Sequence, residues 1–253
     1  MKRAATLLLA TLAGAAPSFA EVDPKARQVG EELIAALGGM NAWEKSRQLM
    51  FDFVVERDGT VAASFSHAWD RYTGDYRVSG MDRSGAPWVV YFNVNTKEGV
   101  AFSNGRLAEG EQKDTLLKNA YGRFINDTYW LLCPWKIFDP GVNVAYEGEK
   151  PCPQGGTCDV LKLSFNEVGM TPKDLYWLWI TKPDRRMVQW QYLLNGATGE
   201  PSTAEWKDWE TFNGMKISME KTIDGRAIKF KNVAVSPTRD DRLFTPPAPG
   251  SAP

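Results

Sequence analysis

The apolar positions change period along the chain, and each change marks a new element. Between Pro24 and Leu37, the residues Val29, Leu33, Ile34 and Leu37 recur at helical spacing, and Gly38-Gly39 ends the run. This predicts an amphipathic helix with Pro24 in its first turn, where a missing N–H costs nothing. The period then drops to two. Phe51, Phe53 and Val55 alternate with Asp52 and Glu56 up to an Asp58-Gly59 turn, and Ala63, Phe65, His67 and Trp69 share the next face. Tyr76 and Val78 follow, then Trp88, Val90, Phe92 and Val94, with Asn104-Gly105 as a further turn. Such alternation between Asp-Gly and Asn-Gly turns predicts an antiparallel meander with one apolar face.

Helical spacing returns from Gln112 to Leu132, where Leu117, Tyr121, Phe124, Thr128 and Leu131 form one stripe. Asn126-Asp127 has the chemistry to cap a second short helix inside this span. Pro134 ends the segment and Asp139-Pro140-Gly141 makes a turn. Alternation resumes at Leu161, Leu163 and Phe165, at Met215, Ile217 and Met219, and at Ile228 and Phe230. The stretch Tyr176–Ile180 is apolar on both faces, which predicts a strand covered on both sides. The order is one helix, three or four strands, a helical insertion and six or so strands, without a repeat or linker. Two helical segments are all that is available to cover the buried sheet face. The fold class expected is therefore α+β: a strongly curved antiparallel sheet, an incomplete barrel, wrapped around or covered by a few helices.

The first residues add a location. Lys2 and Arg3 precede an apolar run to about Ala16, and Ser18 and Ala20 are small residues at the positions signal peptidase reads. Residues 1–20 are expected to be a secretory signal peptide cut before Glu21. A domain over 21–245 and a Pro-rich, disordered tail over 246–253 would remain, in the periplasm or secreted. The apolar run is shorter than the roughly 20 residues a membrane span needs. Without Lys2 and Arg3, 28 of the 30 basic residues face 31 acidic ones, a net charge of −3. That balance argues against nucleic acid as a partner. Export also makes the cysteines legible: Cys152 and Cys158 flank a turn-rich loop, and an oxidising compartment favours a disulfide over free thiols or a metal pair. Cys133 lies in an apolar run and reads as a small buried hydrophobe.

Candidate chemistry is sparse. His67 is the one histidine, placed between Phe65 and Trp69 on the buried face, so a core histidine bonded to a neighbouring strand is favoured over a general base. A histidine-rich metal shell is impossible, and no nucleophile elbow, phosphate loop or dinucleotide fingerprint is present. No catalytic residue, metal or cofactor is expected. Asp70, Asp75, Asp127 and Asp208 sit beside aromatics, as in a sugar-processing cleft, but the first three also neighbour turns or helix starts, where capping is commoner. The ten tryptophans, twelve phenylalanines and eight tyrosines are the strongest compositional feature.

The pieces Ser66–Tyr72, Asn126–Lys136, Asp139–Gly141 and Trp206–Trp209 resemble a family of uncharacterised secreted bacterial proteins. That family looks related to the LolA-like superfamily of periplasmic lipoprotein carriers and lipid-binding proteins. The resemblance implies an incomplete antiparallel barrel with helices plugging its mouth and an apolar cavity between them. It also implies an arginine at the cavity mouth, for which Arg71 and Arg123 are candidates. Cys133 stands where a methionine is expected, and the Cys152 and Cys158 pair looks like a local elaboration. The function implied is a periplasmic binding or carrier protein for a lipid or lipidated protein, with transient membrane contact. A protein-interaction module is the alternative, and a carbohydrate-active enzyme ranks third. The ligand-binding residues expected are Phe53, Phe65, Trp69, Phe92, Phe124, Trp130, Leu131, Trp177, Trp179 and Trp190. The segment carrying Phe124, Tyr129, Trp130 and Leu131 would be a lid, with Gly122 and Pro134 as hinges.

Overall fold

Two strands that follow one another in the chain form the opposite edges of the sheet. The computed structural model describes residues 20–166 and 171–247. Among these, thirteen strands make one antiparallel sheet that curves without closing. In chain order they are β1 (Gln48–Arg57), β2 (Thr60–Asp70), β3 (Asp75–Met81), β4 (Pro87–Asn93), β5 (Gly99–Ser103) and β6 (Arg106–Leu107). After the helical insertion come β7 (Val142–Pro151), β8 (Thr157–Phe165), β9 (Leu175–Thr181) and β10 (Met187–Leu193). The last three are β11 (Ser202–Phe212), β12 (Met215–Ile223) and β13 (Arg226–Ser236). Spatial order runs from β6 back to β1, then β13 back to β7. Two meanders are therefore joined at a central seam where β1 pairs with β13. The expected α+β half-barrel is what forms, with more strands on both sides of the insertion than the alternation alone suggested.

Turn chemistry sets the hairpins. Asp58 and Gly59 take φ of 48° and 74°, and Asn104 and Gly105 take 50° and 74°. Positive φ at both central residues matches the twist of the flanking strands, and Asn, Asp and Gly tolerate it best.

Among the described residues three α-helices pack on the sheet. In α1 (Pro24–Ala36) the Asp23 carboxylate accepts the N–H groups of Lys25 and Ala26, at 2.8 and 3.0 Å. The helix buries Ala26, Val29, Leu33 and Ile34, as its stripe predicts. A seven-residue helix, α2 (Gly39–Lys45), follows at once; it is too short to show a stripe in the sequence. At the joint, Gly38 has φ +121°, and a Cβ there would stand 1.9 Å from the Gly214 carbonyl oxygen. Glycine is needed on both counts.

The third helix, α3 (Gly110–Leu132), spans from the β6 edge to the β7 side and packs on β4, β5 and β12. It is continuous. Asn126-Asp127 does not cap a second helix within it; the Asp127 carboxylate turns inward to a partner on β2.

Ahead of α1, residues Glu21–Asp23 run beside β7: Val144 donates its N–H to Glu21, and Asp23 donates to Val144, at 2.8 and 2.9 Å. This parallel bridge covers part of an edge strand that would otherwise offer open hydrogen-bonding groups. The signal-peptide reading of residues 1–20 lies outside the described residues except at Ala20, and the tail reading of 246–253 except at 246 and 247.

The double-sided strand reading of Tyr176–Ile180 needs correcting. Tyr176, Leu178 and Ile180 enter the core, while Trp177 and Trp179 lie half-buried on the outer face. Among the described residues no second layer covers them. Lys162 and Lys150 reach over their rings, at 5.5 and 5.8 Å from the centroids, and Gln191 accepts from the Trp179 indole at 3.1 Å.

Candidate functional site

Between α3 and the β7–β10 side of the sheet opens a cavity of about 460 Å³. Its helix wall carries Gly122, Phe124, Tyr129 and Trp130, because these positions fall on the flank of α3 beside its buried stripe. Its sheet wall carries Phe165, Tyr176 and Tyr192, which point inward by strand alternation. The rings pack at angles: Tyr129 to Tyr176 at 5.3 Å, Trp130 to Tyr192 at 5.9 Å and Phe165 to Tyr176 at 5.9 Å between centroids. Trp190 lies fully buried behind Trp130, 4.5 Å away and edge-on, and fixes its ring. Such a volume and lining suit a small-molecule site, apolar with a few polar groups.

The polar groups sit at the margin. Lys136 is paired to Asp139. Asp174 is buried and accepts from Thr171 Oγ1 at 2.6 Å, Tyr176 Oη at 3.3 Å and the Asn195 N–H at 2.7 Å. Burial raises the phenol pKa values of Tyr129, Tyr176 and Tyr192, so the cavity tyrosines stay neutral. A second hollow of about 410 Å³ lies among α1, α2 and the turn after α3, lined by Ile34, Met40, Trp43, Trp135 and Phe138.

Outside the cavity, a buried polar chain ties α3 to the sheet. His67 Nε2 lies 3.2 Å from Asp127 Oδ2, and His67 Nδ1 lies 2.7 Å from Tyr76 Oη. The Nδ1–phenol contact is a hydrogen bond, whereas Nε2 and Oδ2 face each other at ion-pair distance without hydrogen-bond geometry. Asn126 and Arg123 hold the other carboxylate oxygen at 2.8 and 3.4 Å, and Phe51 stacks on the imidazole at 4.5 Å. Burial, with the Asp127 charge, lifts the Tyr76 pKa well above its usual value. Neither His67 nor Asp127 faces the cavity, so this chain is built to hold the helix.

Lys221 is the other unusual group. Its side chain is fully buried, donates to the Ser218 carbonyl at 2.6 Å, and lies 4.2 and 4.3 Å from the rings of Trp206 and Phe230. No carboxylate pairs with it among the described residues, and burial drives its pKa well below the ordinary lysine value. Cys133 is a free, buried thiol pushed by burial to about 12, too high to be nucleophilic. Among the described residues no group of three or more His, Cys, Asp or Glu could hold a metal.

Of the residues expected to line a ligand site, the structure brings Phe124 and Trp130 to the cavity, with Trp190 behind them. Phe53, Phe92 and Leu131 are buried in the core. Phe65 packs on Trp88, and Trp69 packs edge-on against Phe124 at 5.2 Å. Trp177 and Trp179 lie on the outer face of the sheet. The tyrosines Tyr129, Tyr176 and Tyr192, and Asp174, do line the cavity and were not singled out as ligand residues. Strand parity connects Tyr176 with Leu178 and Tyr192 with Trp190, and is the signal that marks them.

The two arginine candidates serve the fold. Arg71 stacks 3.5 Å over Trp43 and donates to the Trp43 and Ser46 carbonyls, holding the end of α2; burial draws its pKa to about 10, still protonated. Arg123 lies over Phe65 at 4.1 Å and reaches Asp127. The Cys152–Cys158 disulfide forms as the spacing suggested.

No family model matches the chain, and no curated protein matches it. Among solved structures it is similar to a DUF1329 family protein from Desulfovibrio piger, at TM-score 0.50 and 11% identity, over 87% of this chain and 97% of that one. That likeness carries the fold alone. An uncharacterised conserved protein from Thermus thermophilus aligns over 88% of this chain and 95% of its own at TM-score 0.31 and 11% identity. MucB, solved in complex with MucA(peri), aligns over 88% and 60% at TM-score 0.22 and 10% identity.

Proposed function

We propose that the protein is an extracytoplasmic binding or carrier protein, exported by residues 1–20, that holds the apolar part of a lipid or lipidated partner beneath α3. The carrying observation is the cavity of about 460 Å³ walled by aromatic rings from α3 and three strands. Each methylene buried there contributes about 0.8 kcal/mol, so an acyl chain binds by burial without a cofactor. The disulfide fits the same compartment, since such bonds persist where the surroundings are oxidising.

The test uses Gly122, which lines the cavity and has nothing within 4 Å of where a Cβ would stand. Gly122→Ala is expected to stabilise α3 by about 0.5–1 kcal/mol and leave uptake intact. Gly122→Trp is expected to fill the cavity and abolish uptake of a fluorescent fatty acid in a folded protein. Native mass spectrometry of protein purified without detergent should show a bound lipid in the wild type. A protein that is empty and takes up no fatty acid sinks the proposal and moves protein interaction to first place.

A further inference from the structure

The charges around the cavity do not cancel, and their balance says which kind of head group belongs there. Among its lining residues the ionisable side chains other than the phenols are Lys136, Asp139 and Asp174. Lys136 is engaged by Asp139. Asp174 receives only neutral donors, from Thr171, Tyr176 and Asn195, and no lysine or arginine pairs with it among the described residues. A buried carboxylate without a counter-charge is costly, and the cost falls when a cation arrives. The rest of the wall favours the same sign. Tyr129, Trp130, Tyr176 and Tyr192 present aromatic π-systems, whose faces are negative and attract poorly hydrated cations. A carboxylate or phosphate head meets the opposite situation: one like charge, neutral phenols and a lysine already paired.

We infer that the cavity selects an amphiphile with a quaternary ammonium head, seated among Tyr129, Tyr176 and Tyr192 near Asp174, with its apolar tail along α3. This rests on the reading of the cavity as a ligand site. A trimethylammonium group has no hydrogen-bond donor to satisfy and little hydration to lose. That suits a wall of rings, whereas a primary amine would leave N–H groups unpaired.

The experiment is calorimetric titration of the full exported chain with four probes: dodecyltrimethylammonium, dodecanol and dodecanoate, each below its micelle concentration, and choline. The expected result is binding of the trimethylammonium amphiphile about tenfold tighter than the alcohol or the carboxylate, equivalent to about 1.4 kcal/mol. In Asp174→Asn the advantage should shrink to about twofold, because the amide loses the charge and keeps only one accepting oxygen of the two. Tyr192→Leu, which removes a ring and keeps apolar surface, should shrink it too. Equal affinity for all three chains, or preference for dodecanoate, overturns the head-group inference and leaves the cavity reading standing. Failure of every probe overturns both. Choline binding as tightly as the amphiphile keeps the cation and removes the tail.

Discussion

Lys221 places an amine where only apolar atoms and one carbonyl can meet it. Its position follows strand parity: Met215, Ile217 and Ile223 enter the core on the same strand, and Lys221 continues their face. The sequence therefore contains the signal, a lysine at an inward parity, but composition hides it among the exposed lysines at 216 and 231. The unfolded amine titrates near 10.4 and the folded one well below, so the folded state binds fewer protons between those values. Stability from this group accordingly rises with pH through that window and is lowest below it. Lys221→Met is expected to stabilise the protein by about 1–3 kcal/mol at pH 7. Urea unfolding of both proteins should show the gap narrowing as the pH approaches 10. Asp127 was misread for a related reason: an Asn-Asp pair looks the same whether it caps a helix or meets a histidine 60 positions earlier on another element.

Helix α3 is held to the sheet by shape and by one polar contact. Aromatic rings at Phe124, Tyr129 and Trp130 interlock with rings from β2, β3, β8, β9 and β10, and Asp127 meets His67 beneath them. Asp127→Ala removes the buried carboxylate that faces the imidazole and accepts from Asn126 and Arg123, and is expected to cost about 2–4 kcal/mol in chemical denaturation. Asp127→Asn, which keeps an acceptor, should cost less. Element existence was legible wherever the pattern had a clear period, as in α1, α3 and the β1–β2 hairpin. It was illegible where length or composition erased the period. The helix α2 has seven residues, and β9 is apolar on both faces, so parity gave no direction for Trp177 and Trp179. The cavity was legible only in part, since Phe124 and Trp130 belong to it but its tyrosine wall comes from α3 and two separate strands.

At the scale of the molecule, the residues after β13 fasten the seam between the two meanders. Asp70, fully buried, accepts from Arg47 just ahead of β1 and from Arg239 beyond β13, at 3.0 and 2.9 Å. Burial by itself would raise the Asp70 carboxyl, but the hydrogen bonds from Arg47 and Arg239 outweigh it and hold the value well below the usual carboxylate range. An unfolded aspartate titrates near 3.9, so this contribution is full above that pH and fades as the pH falls below about 4. The stability difference between wild type and Asp70→Asn should therefore shrink on acidification from pH 6 to pH 2; a constant difference would contradict the pairing. The seam itself orders events in time. Met50 stands opposite Ala234, so the middle of the sheet joins residues 184 positions apart, and among the described strands β13 is the last in chain order. Closing so long a loop is slow, and until β13 arrives the two meanders share no backbone ladder. A chain arranged in this way stays pliable until late in folding and completes its core only when β13 docks between β1 and β12.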